Sequence, residues 1–555
     1  MSKLKAEKIT GFKHQLLPSF SFTWITLITL YAILHFLAAS NQTLYFYSGG
    51  DNATYFLLGQ AIVQGQGYTD FYADPPSPHV KYPFVFPVMI AVMMFFFGEN
   101  ILFIKIMIAT CAVVMVLFTA LLWKNRDPSA LSLLTTVLVT TMPFTLSLSA
   151  WVMSDIPFMA FICVSLFLIE HAFTAGSLRT MSFYGSIFFM LCACLTRGVG
   201  IVLGPALIMA IFFHPSLRTK WRQKFIMATT IIIPFCMATM TWYYVRPTLL
   251  QTADNSYVQE FFKNADRPEM RVDVNQFSDL IKRILFNQEY YLQSIGDVLR
   301  SFSPTFSFQI RYVAGSIIVL IFFTGLIIMF RKSRGAPEFF TLFYILLIMV
   351  WSGHDSRFLV PLYPFSIYYF LKGLEYFIQK ALWWTIPVRK NSLTQGGIIV
   401  MTLIMLSTNF ISNFKTYQNV SRTRQSELCV VNPWFTVEPL DQLHCNLLNA
   451  VRALSTLLKT GDIILSRKEP LVTLISKAPV KTYPEKISPD DFIRFLTLNK
   501  IKYLIVDEFD HRIRRGVFST LLAHPDSLHF VMRVENTMIY LFEPYKAETE
   551  QERAF

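Results

Sequence analysis

The sequence predicts an α-helical polytopic membrane protein that ends in a small extracytoplasmic α/β domain. Of its 555 residues, 53% are hydrophobic and only 15% are charged, whereas soluble domains carry about a quarter charged residues. Apolar runs of near-spanning length recur between residues 21 and 413, bounded by charges, Pro or Gly. Residues 414–555 are more polar and alternate short strand-like runs with helix-like runs.

The positive charge of the chain fits membrane orientation better than nucleic-acid binding. Most of the net charge of +13 falls in short loops between apolar runs, as is typical of cytoplasmic loops. A basic stripe with interleaved aromatic residues on a soluble domain is not seen, so we expect no nucleic-acid partner. Four lysines (Lys3, Lys5, Lys8 and Lys13) precede the first apolar run, and no clean cleavage site follows it. We therefore predict a cytoplasmic N-terminus, an uncleaved signal anchor and a bacterial inner (plasma) membrane location.

One apolar run, residues 84–98, is short for a membrane span and suits an interfacial or re-entrant helix. If it does not cross, the basic clusters of the later loops face the cytoplasm; if it does, all of them face outward. The positive-inside rule therefore favours the non-crossing alternative. About eleven spans remain, near residues 21–39, 101–123, 129–147, 157–173, 182–196, 199–213, 225–244, 310–330, 338–352, 358–378 and 396–413.

This topology divides the chain into a transmembrane domain, residues 1–413, and an extracytoplasmic domain, residues 414–555. The first outer loop, residues 40–100, carries interfacial helices, and a second long outer loop covers residues 245–309. In the C-terminal domain we predict strands in Gly461–Ser466, Pro479–Tyr483, Lys502–Asp507, Phe530–Val534 and Met538–Phe542, with helices near 440–459 and 489–499. Cys429 and Cys445 lie in this domain, and an extracytoplasmic location would allow a disulfide between them.

The first outer loop holds the residues best suited to chemistry. Asp51 opens a helical stretch that ends at Gly65, and Tyr55, Leu58 and Ile62 share one face, as on a helix in the membrane interface. Asp51 is either a helix N-cap or a general base for an acceptor hydroxyl. Both roles are compatible, because an N-cap fixes the orientation of the carboxylate.

Farther along the loop, His79, Lys81 and Tyr82 lie beside a Pro-rich turn. Lys81 either extends to the lipid surface as a membrane-edge lysine or binds the phosphate of a lipid carrier. His79 either ligates a divalent metal ion or hydrogen-bonds a sugar, although the spacing shows no second metal ligand.

Charged residues recur at the outer ends of later spans. Asp155 is either an N-cap with Ser154 or a second catalytic acid. Arg197 lies between two apolar runs with almost no loop, where an arginine is costly unless it is paired or faces a polar cavity. A third group, His354, Asp355 and Arg357, lies on one outer turn, where the last two either pair with each other or line a cavity.

These motifs, in this order, resemble the GT-C glycosyltransferases. They are the Asp51 helix, Gly65-x-Gly-Tyr68, His79-x-Lys-Tyr-Pro83, Phe97-Gly-Glu-Asn100, Met153-Ser-Asp-Ile-Pro157, Leu195-Thr-Arg197 and Asp355-Ser-Arg357. The resemblance covers about residues 20–380 and is closest to the bacterial branch related to protein O-mannosyltransferases and the lipid A aminoarabinose transferase.

The resemblance implies a GT-C-type fold and an inverting transfer of a sugar from a polyprenyl-phosphate donor to an extracytoplasmic glycan, lipid or protein. It also implies that Asp51 is the catalytic acid/base and that Lys81 contacts the carrier phosphate. The remaining candidates for substrate binding are Tyr55, His79, Tyr82, Arg197, His354, Asp355 and Arg357, with Asp155 as a second catalytic residue. One departure concerns the acceptor: protein mannosyltransferases have an acidic pair at the first site, whereas Asn52 follows Asp51 here.

Two other functional classes remain as alternatives. A polysaccharide polymerase or ligase would use similar lipid-linked donors and concentrate basic residues in one outer loop, where Arg267, Arg271, Lys282 and Arg283 lie. A transporter or flippase would show paired repeats and charges near the bilayer midplane, which the sequence lacks. The sequence requires no cofactor and leaves a divalent metal open.

Overall fold

The computed structural model describes residues 21–40, 51–71, 76–175, 180–215, 221–249, 261, 276–297, 306–382, 387–423, 439–484, 487–508 and 511–543. The first part of the chain is helical. Its helices are α1 (Phe22–Ser40), α2 (Asp51–Val63), α3 (Val85–Phe97), α4 (Ile101–Arg126), α5 (Ala130–Thr141), α6 (Pro143–Ala150), α7 (Asp155–Ala175), α8 (Met181–Cys194), α9 (Leu203–Phe213), α10 (Trp221–Met240), α11 (Arg246–Leu249), α12 (Phe277–Gly296), α13 (Phe308–Lys332), α14 (Ala336–Val350), α15 (Tyr363–Ala381) and α16 (Pro387–Thr423).

The helices confirm a multi-pass membrane protein. Five of the described helices are long and apolar enough to cross a bilayer, and the pair α5–α6, bent by 52°, makes a sixth candidate. The bend falls before Pro143, whose ring cannot continue a helix without a break. Every position at which we predicted a span carries a helix in the structure, although several of those helices are shorter.

The apolar run 84–98 forms α3, which packs against α2. A Cβ at Gly59 of α2 would lie 2.6 Å from Cγ2 of Ile90, so a residue without a side chain allows this close crossing. From the sequence we expect α2 to rest in the membrane interface, and this stays a prediction. Residues 52–59 of α2 are all buried within the protein. The reason is that α2 is covered by α3 on one side and by the C-terminal domain on another.

At one end of the bundle, charged side chains form a buried network that joins four helices. Arg126, at the end of α4, donates from Nη2 to Glu338 over 2.7 Å, and its Nε lies 3.6 Å from Glu170. Glu170 accepts from the backbone of Ala336 over 2.8 Å and lies 3.6 Å from His214. These residues flank the loops that we predicted to be cytoplasmic.

Removing the cation of this network is expected to destabilise the bundle. Arg126→Met would leave the carboxylates of Glu170 and Glu338 buried without their arginine, and breaking such a pair costs about 3–5 kcal/mol. The thermal unfolding temperature of the purified protein in detergent should fall clearly. Arg494→Met, whose side chain is 76% exposed, is the matched control and should leave that temperature unchanged. Equal unfolding temperatures for both variants would contradict this role.

The C-terminal domain is α/β, as predicted. It contains α17 (Pro439–Ser455), β3 (Ile463–Leu465), α18 (Glu469–Ser476), β4 (Val480–Lys481), α19 (Pro489–Leu498), β5 (Ile501–Val506), α20 (His511–Ala523), β6 (Leu528–Val534) and β7 (Thr537–Phe542). The sheet order is β4-β3-β5-β7-β6, with parallel pairing of β3 to both neighbours and antiparallel pairing around β7. The five predicted strands and two predicted helices are present; α18 and α20 were not predicted. Cys429 lies outside the described residues, and so does the predicted disulfide.

The C-terminal domain rests on α2. Ala53 belongs to the same apolar cluster as Leu447, Leu471 and Val472 of that domain, and all four are buried. The N-terminal end of α2, where Asp51 lies, is therefore fixed between the bundle and the C-terminal domain.

Candidate active site

At the end of the bundle opposite the Arg126 network, two side chains hold the carboxylate of Asp51. Tyr82 donates from its hydroxyl to Oδ1 over 2.9 Å, and Arg357 donates from Nη2 to Oδ2 over 3.0 Å. The side chain of Asp51 remains 27% exposed. Both oxygens thus have fixed donors, while the carboxylate can still be reached from solvent.

The surrounding charges keep Asp51 ionised. Burial alone would raise the pKa of Asp51, but the charges of Arg357 and Lys81 and the hydrogen bonds from Tyr82 and Arg357 outweigh it and hold that pKa below its ordinary value. At neutral pH the group is therefore a carboxylate, which can accept a proton.

A second carboxylate–arginine pair lies at the start of α7. Asp155 is 1% exposed, and its Oδ2 lies 2.7 Å from Nη1 of Arg197. The same nitrogen donates to the hydroxyl of Ser154 over 3.2 Å. Asp155 therefore pairs with Arg197 and is not merely an N-cap. Its Oδ1 is buried and has no hydrogen-bond partner among the described residues.

Tyr55 connects the two pairs. It lies one turn after Asp51, its ring centroid is 4.8 Å from that of Tyr82, and its hydroxyl is 2.9 Å from the hydroxyl of Ser154. The pKa of Tyr55 is raised to about 12, chiefly by burial. The charges of Asp51 and Asp155 also raise this pKa, and the charge of Arg197 lowers it. Tyr55 is therefore a neutral phenol at neutral pH.

Lys81 adds a third cation. It lies in the turn between the strand β2 (Ser77–Pro78) and α3, with Nζ 5.9 Å from the ring centroid of Tyr82. Its charge lowers the pKa of Asp51, so it acts on the same site.

The electrostatic environment of Arg197 links the two carboxylate–arginine pairs. Burial and the like charge of Arg357 act to lower the pKa of Arg197, but the carboxylate of Asp155 outweighs them and that pKa is raised. The cations of the two pairs thus lie near each other.

The turn 353–357 is only partly in the site. Asp355 accepts from the backbone N–H of Arg357 over 2.9 Å and lies 3.4 Å from its Nε, so the predicted pairing is present. Arg357 also reaches Asp51, which places it in the site. His354 packs against Tyr290 and Phe286 of α12, with ring centroids 4.3 and 5.1 Å away. Its role in substrate binding stays a prediction.

His79 is occupied on both sides. Its Nδ1 lies 2.7 Å from Oδ1 of Asp70, and its Nε2 accepts from the backbone N–H of Tyr82 over 2.8 Å. Within the described part of the chain, no group of three His, Cys, Asp or Glu side chains could hold a metal ion. The prediction that His79 ligates a metal stays a prediction, and this arrangement does not support it.

Two residues next to this site, Arg246 and Asn52, were not predicted from the sequence to belong to it. Arg246, one residue beyond a π-helical turn, donates to the backbone carbonyl of His79 and lies over the rings of Trp242 and Tyr68, 4.4 and 5.2 Å from their centroids. An arginine directly after an apolar run is the signal that could have indicated it. Asn52 was noted only as a departure from a motif. It is fully buried, and neither polar atom of its side chain has a hydrogen-bond partner among the described residues.

The comparison with known families agrees with this geometry. Residues 81–244 match the family described as dolichyl-phosphate-mannose-protein mannosyltransferase. The matched segment includes Lys81, Asp155 and Arg197, whereas Asp51 and Arg357 lie outside it. No curated protein matches the sequence.

Solved structures of AglB and ArnT are among those that are similar over nearly the whole chain. The oligosaccharyltransferase AglB from Archaeoglobus fulgidus, in complex with an inhibitory peptide and a dolichol-phosphate, has a TM-score of 0.53 at 11% identity, covering 95% of this chain and 74% of AglB. ArnT from Cupriavidus metallidurans bound to undecaprenyl phosphate has a TM-score of 0.53 at 12% identity, covering 94% of this chain and 98% of ArnT. At such identities the likeness concerns the fold, and it confirms the predicted GT-C architecture.

Proposed function

We propose that this chain, a GT-C glycosyltransferase related to the protein mannosyltransferases and the aminoarabinose transferase, transfers a sugar from a polyprenyl-phosphate donor to an acceptor on the outer face of the membrane. The observation that carries the proposal is the pairing of two carboxylates, Asp51 and Asp155, with two arginines at one end of the bundle, beside Lys81. AglB was solved with a dolichol-phosphate and ArnT with undecaprenyl phosphate, which supports a donor of that class.

Asp51 is the proposed general base. Glycosyl transfer passes through an oxocarbenium-like transition state, in which the acceptor oxygen loses its proton as the carbon–oxygen bond forms. Asp51 is ionised and partly exposed, and its orientation is fixed by Arg357 and Tyr82. A single displacement assisted by one base inverts the anomeric centre, so we propose inversion.

Lys81, Arg197 and Arg357 are the proposed cations for the leaving phosphate. A polyprenyl phosphate gains negative charge as the bond to the sugar breaks, and nearby cations stabilise that charge. Asp155 holds Arg197 in place.

The topology belongs to the same proposal. Eleven spans, with α3 outside the membrane core, put Asp51, Lys81, Asp155, Arg197 and Arg357 on the extracytoplasmic side together with the C-terminal domain. The network around Arg126 then faces the cytoplasm, next to loops rich in Lys and Arg. A bacterial inner membrane is the proposed location.

The polymerase or ligase alternative receives little support from the described basic residues. Arg283 is 2% exposed and donates to the backbone carbonyls of Phe261 and Val350, so it is occupied in packing. Lys282 pairs with Asp279 over 3.2 Å. Arg267 and Arg271 lie outside the described residues.

The acceptor and the sugar can be identified together by mass spectrometry of cell-envelope glycans, lipids and proteins with and without the gene. We expect one envelope component to lose a sugar in the deletion strain and to regain it with the wild-type gene. An unchanged envelope, under conditions in which the protein is produced, would contradict the proposal.

Lys81→Met is expected to weaken binding of the polyprenyl-phosphate product at least about tenfold, because a charge-assisted contact contributes about 1.5–3 kcal/mol. Titration of the purified protein with polyprenyl phosphate, followed by intrinsic tryptophan fluorescence, gives the dissociation constant. Lys459→Met, an exposed lysine of the C-terminal domain, is the matched control. Equal affinities of both variants and the wild type would exclude a phosphate role for Lys81.

A further inference from the structure

The turn of residues 79–82, which carries both Lys81 and Tyr82, is held by His79. The strand β1 (Thr69–Asp70) pairs antiparallel with β2, so that Asp70 lies opposite Ser77, two residues before His79. Nδ1 of His79 lies 2.7 Å from Oδ1 of Asp70, and the backbone N–H of Tyr82 donates to Nε2 over 2.8 Å. A two-residue ladder thus places a carboxylate behind the imidazole ring.

These contacts determine the protonation of the ring. A backbone amide can only donate, so Nε2 must present its lone pair to Tyr82. The single hydrogen of a neutral imidazole is then on Nδ1, where it is donated to Asp70. His79 is 5% exposed, and its nitrogens are fully engaged by the protein.

Tyr82 connects His79 to Asp51 through a ring contact and a hydrogen bond. The imidazole ring stacks on the Tyr82 ring, with centroids 5.4 Å apart and planes 20° apart, and the hydroxyl of Tyr82 donates to Asp51 over 2.9 Å. Tyr68 donates to the backbone carbonyl of Tyr82 over 2.7 Å. Both backbone polar groups of Tyr82 are therefore fixed, one of them by His79.

We propose that His79, supported by Asp70, is a positioning residue for sugar transfer, which acts through Tyr82 to orient Asp51 and the turn that carries Lys81. This inference rests on the proposed function. It gives His79 a role that needs no ligand, because both ring nitrogens are engaged within the protein. Misplacement of a reacting group by about 1 Å can cost about a hundredfold in rate, so a residue without substrate contact can have a large effect.

A double-mutant cycle tests this role, with transfer measured from a polyprenyl-phosphate sugar to envelope extract by the purified full-length protein. We expect His79→Ala to lower kcat by about a hundredfold and Tyr82→Phe to lower it by about tenfold. The double variant should be no slower than His79→Ala alone, because the two residues act through one contact. Losses that multiply would show that His79 acts independently of Tyr82 and would overturn the proposal.

A conservative variant separates positioning from folding. In His79→Gln, the amide oxygen of the introduced glutamine can accept a hydrogen bond from the backbone N–H of Tyr82. This variant should therefore stay within about tenfold of the wild-type rate. All variants should elute as single species and unfold at similar temperatures. A glutamine variant that folds yet is as slow as His79→Ala would overturn the proposal.

A measurement without turnover keeps this inference apart from the proposed function. In ¹⁵N-histidine-labelled protein, the signals that disappear in His79→Gln should be those of a neutral imidazole with hydrogen on Nδ1. A cationic ring or hydrogen on Nε2 would overturn the positioning role even if the enzyme is active. A wild-type protein without transfer activity, with the expected tautomer present, would instead contradict the proposed function.

Discussion

Asp51→Asn is expected to lower sugar transfer by about 10²–10⁴-fold, the range in which a general base contributes. Asparagine keeps the size of the side chain and one of its two acceptor oxygens, so only one of the donors Tyr82 and Arg357 keeps its partner. It cannot take the proton of an acceptor hydroxyl, however. Initial rates with a polyprenyl-phosphate sugar measure the loss, and the unfolding temperature shows whether the variant is folded.

The matched control for Asp51→Asn is Asp526→Asn. Asp526 is exposed in the C-terminal domain, so this change removes one carboxylate far from the site and should leave the rate unaltered. If folded Asp51→Asn protein kept at least half of the wild-type rate, Asp51 would be a helix N-cap and not the base.

Arg357→Gln is expected to lower the rate by about ten- to a hundredfold and to move the acid limb of the pH–rate profile upward. In the wild type, the charge of Arg357 helps to hold the pKa of Asp51 below its ordinary value, whereas burial acts to raise it. Without that charge, burial has more weight and the pKa rises. Because only the ionised carboxylate accepts a proton, activity is then lost at a higher pH as the solution is acidified.

The pH dependence of kcat/KM for the wild type and Arg357→Gln measures this shift, with Arg515→Gln, an exposed arginine of α20, as the control. A profile of Arg357→Gln that is merely scaled down, with its acid limb unmoved, would show that Arg357 binds substrate without tuning Asp51. A limb that moves to lower pH would contradict the electrostatic account.

Much of the fold could be predicted because it follows from patterns within short stretches of the sequence. Apolar runs gave helices at the expected positions, and residues 84–98 form the short helix α3. That α3 does not cross the membrane stays a prediction. The alternation of short runs indicated the strands of the C-terminal domain. The burial of α2 could not be predicted from its own pattern, because Ala53 packs against residues of a domain that begins hundreds of residues later.

The site could be predicted as a set of residues but not as a set of contacts. Asp51 and Arg357 are 306 residues apart in the chain, and no local pattern indicates that they meet. The pairing of His79 with Asp70 depends on a two-residue ladder that is too short to leave a strand signal. The same holds for the Arg126 network, whose members come from four helices and share no motif.

The central claim is that the Asp51 cluster transfers a sugar from a polyprenyl-phosphate donor. The most direct measurement is transfer by the purified protein from a polyprenyl-phosphate sugar labelled in the sugar, with envelope extract as acceptor and the anomeric configuration of the product read by NMR. We predict that label leaves the lipid for an extract component with inverted configuration, and that Asp51→Asn slows this transfer by about 10²–10⁴-fold. Label that stays on the lipid with every polyprenyl-phosphate sugar and extract tested, or equal transfer by Asp51→Asn, would contradict the account.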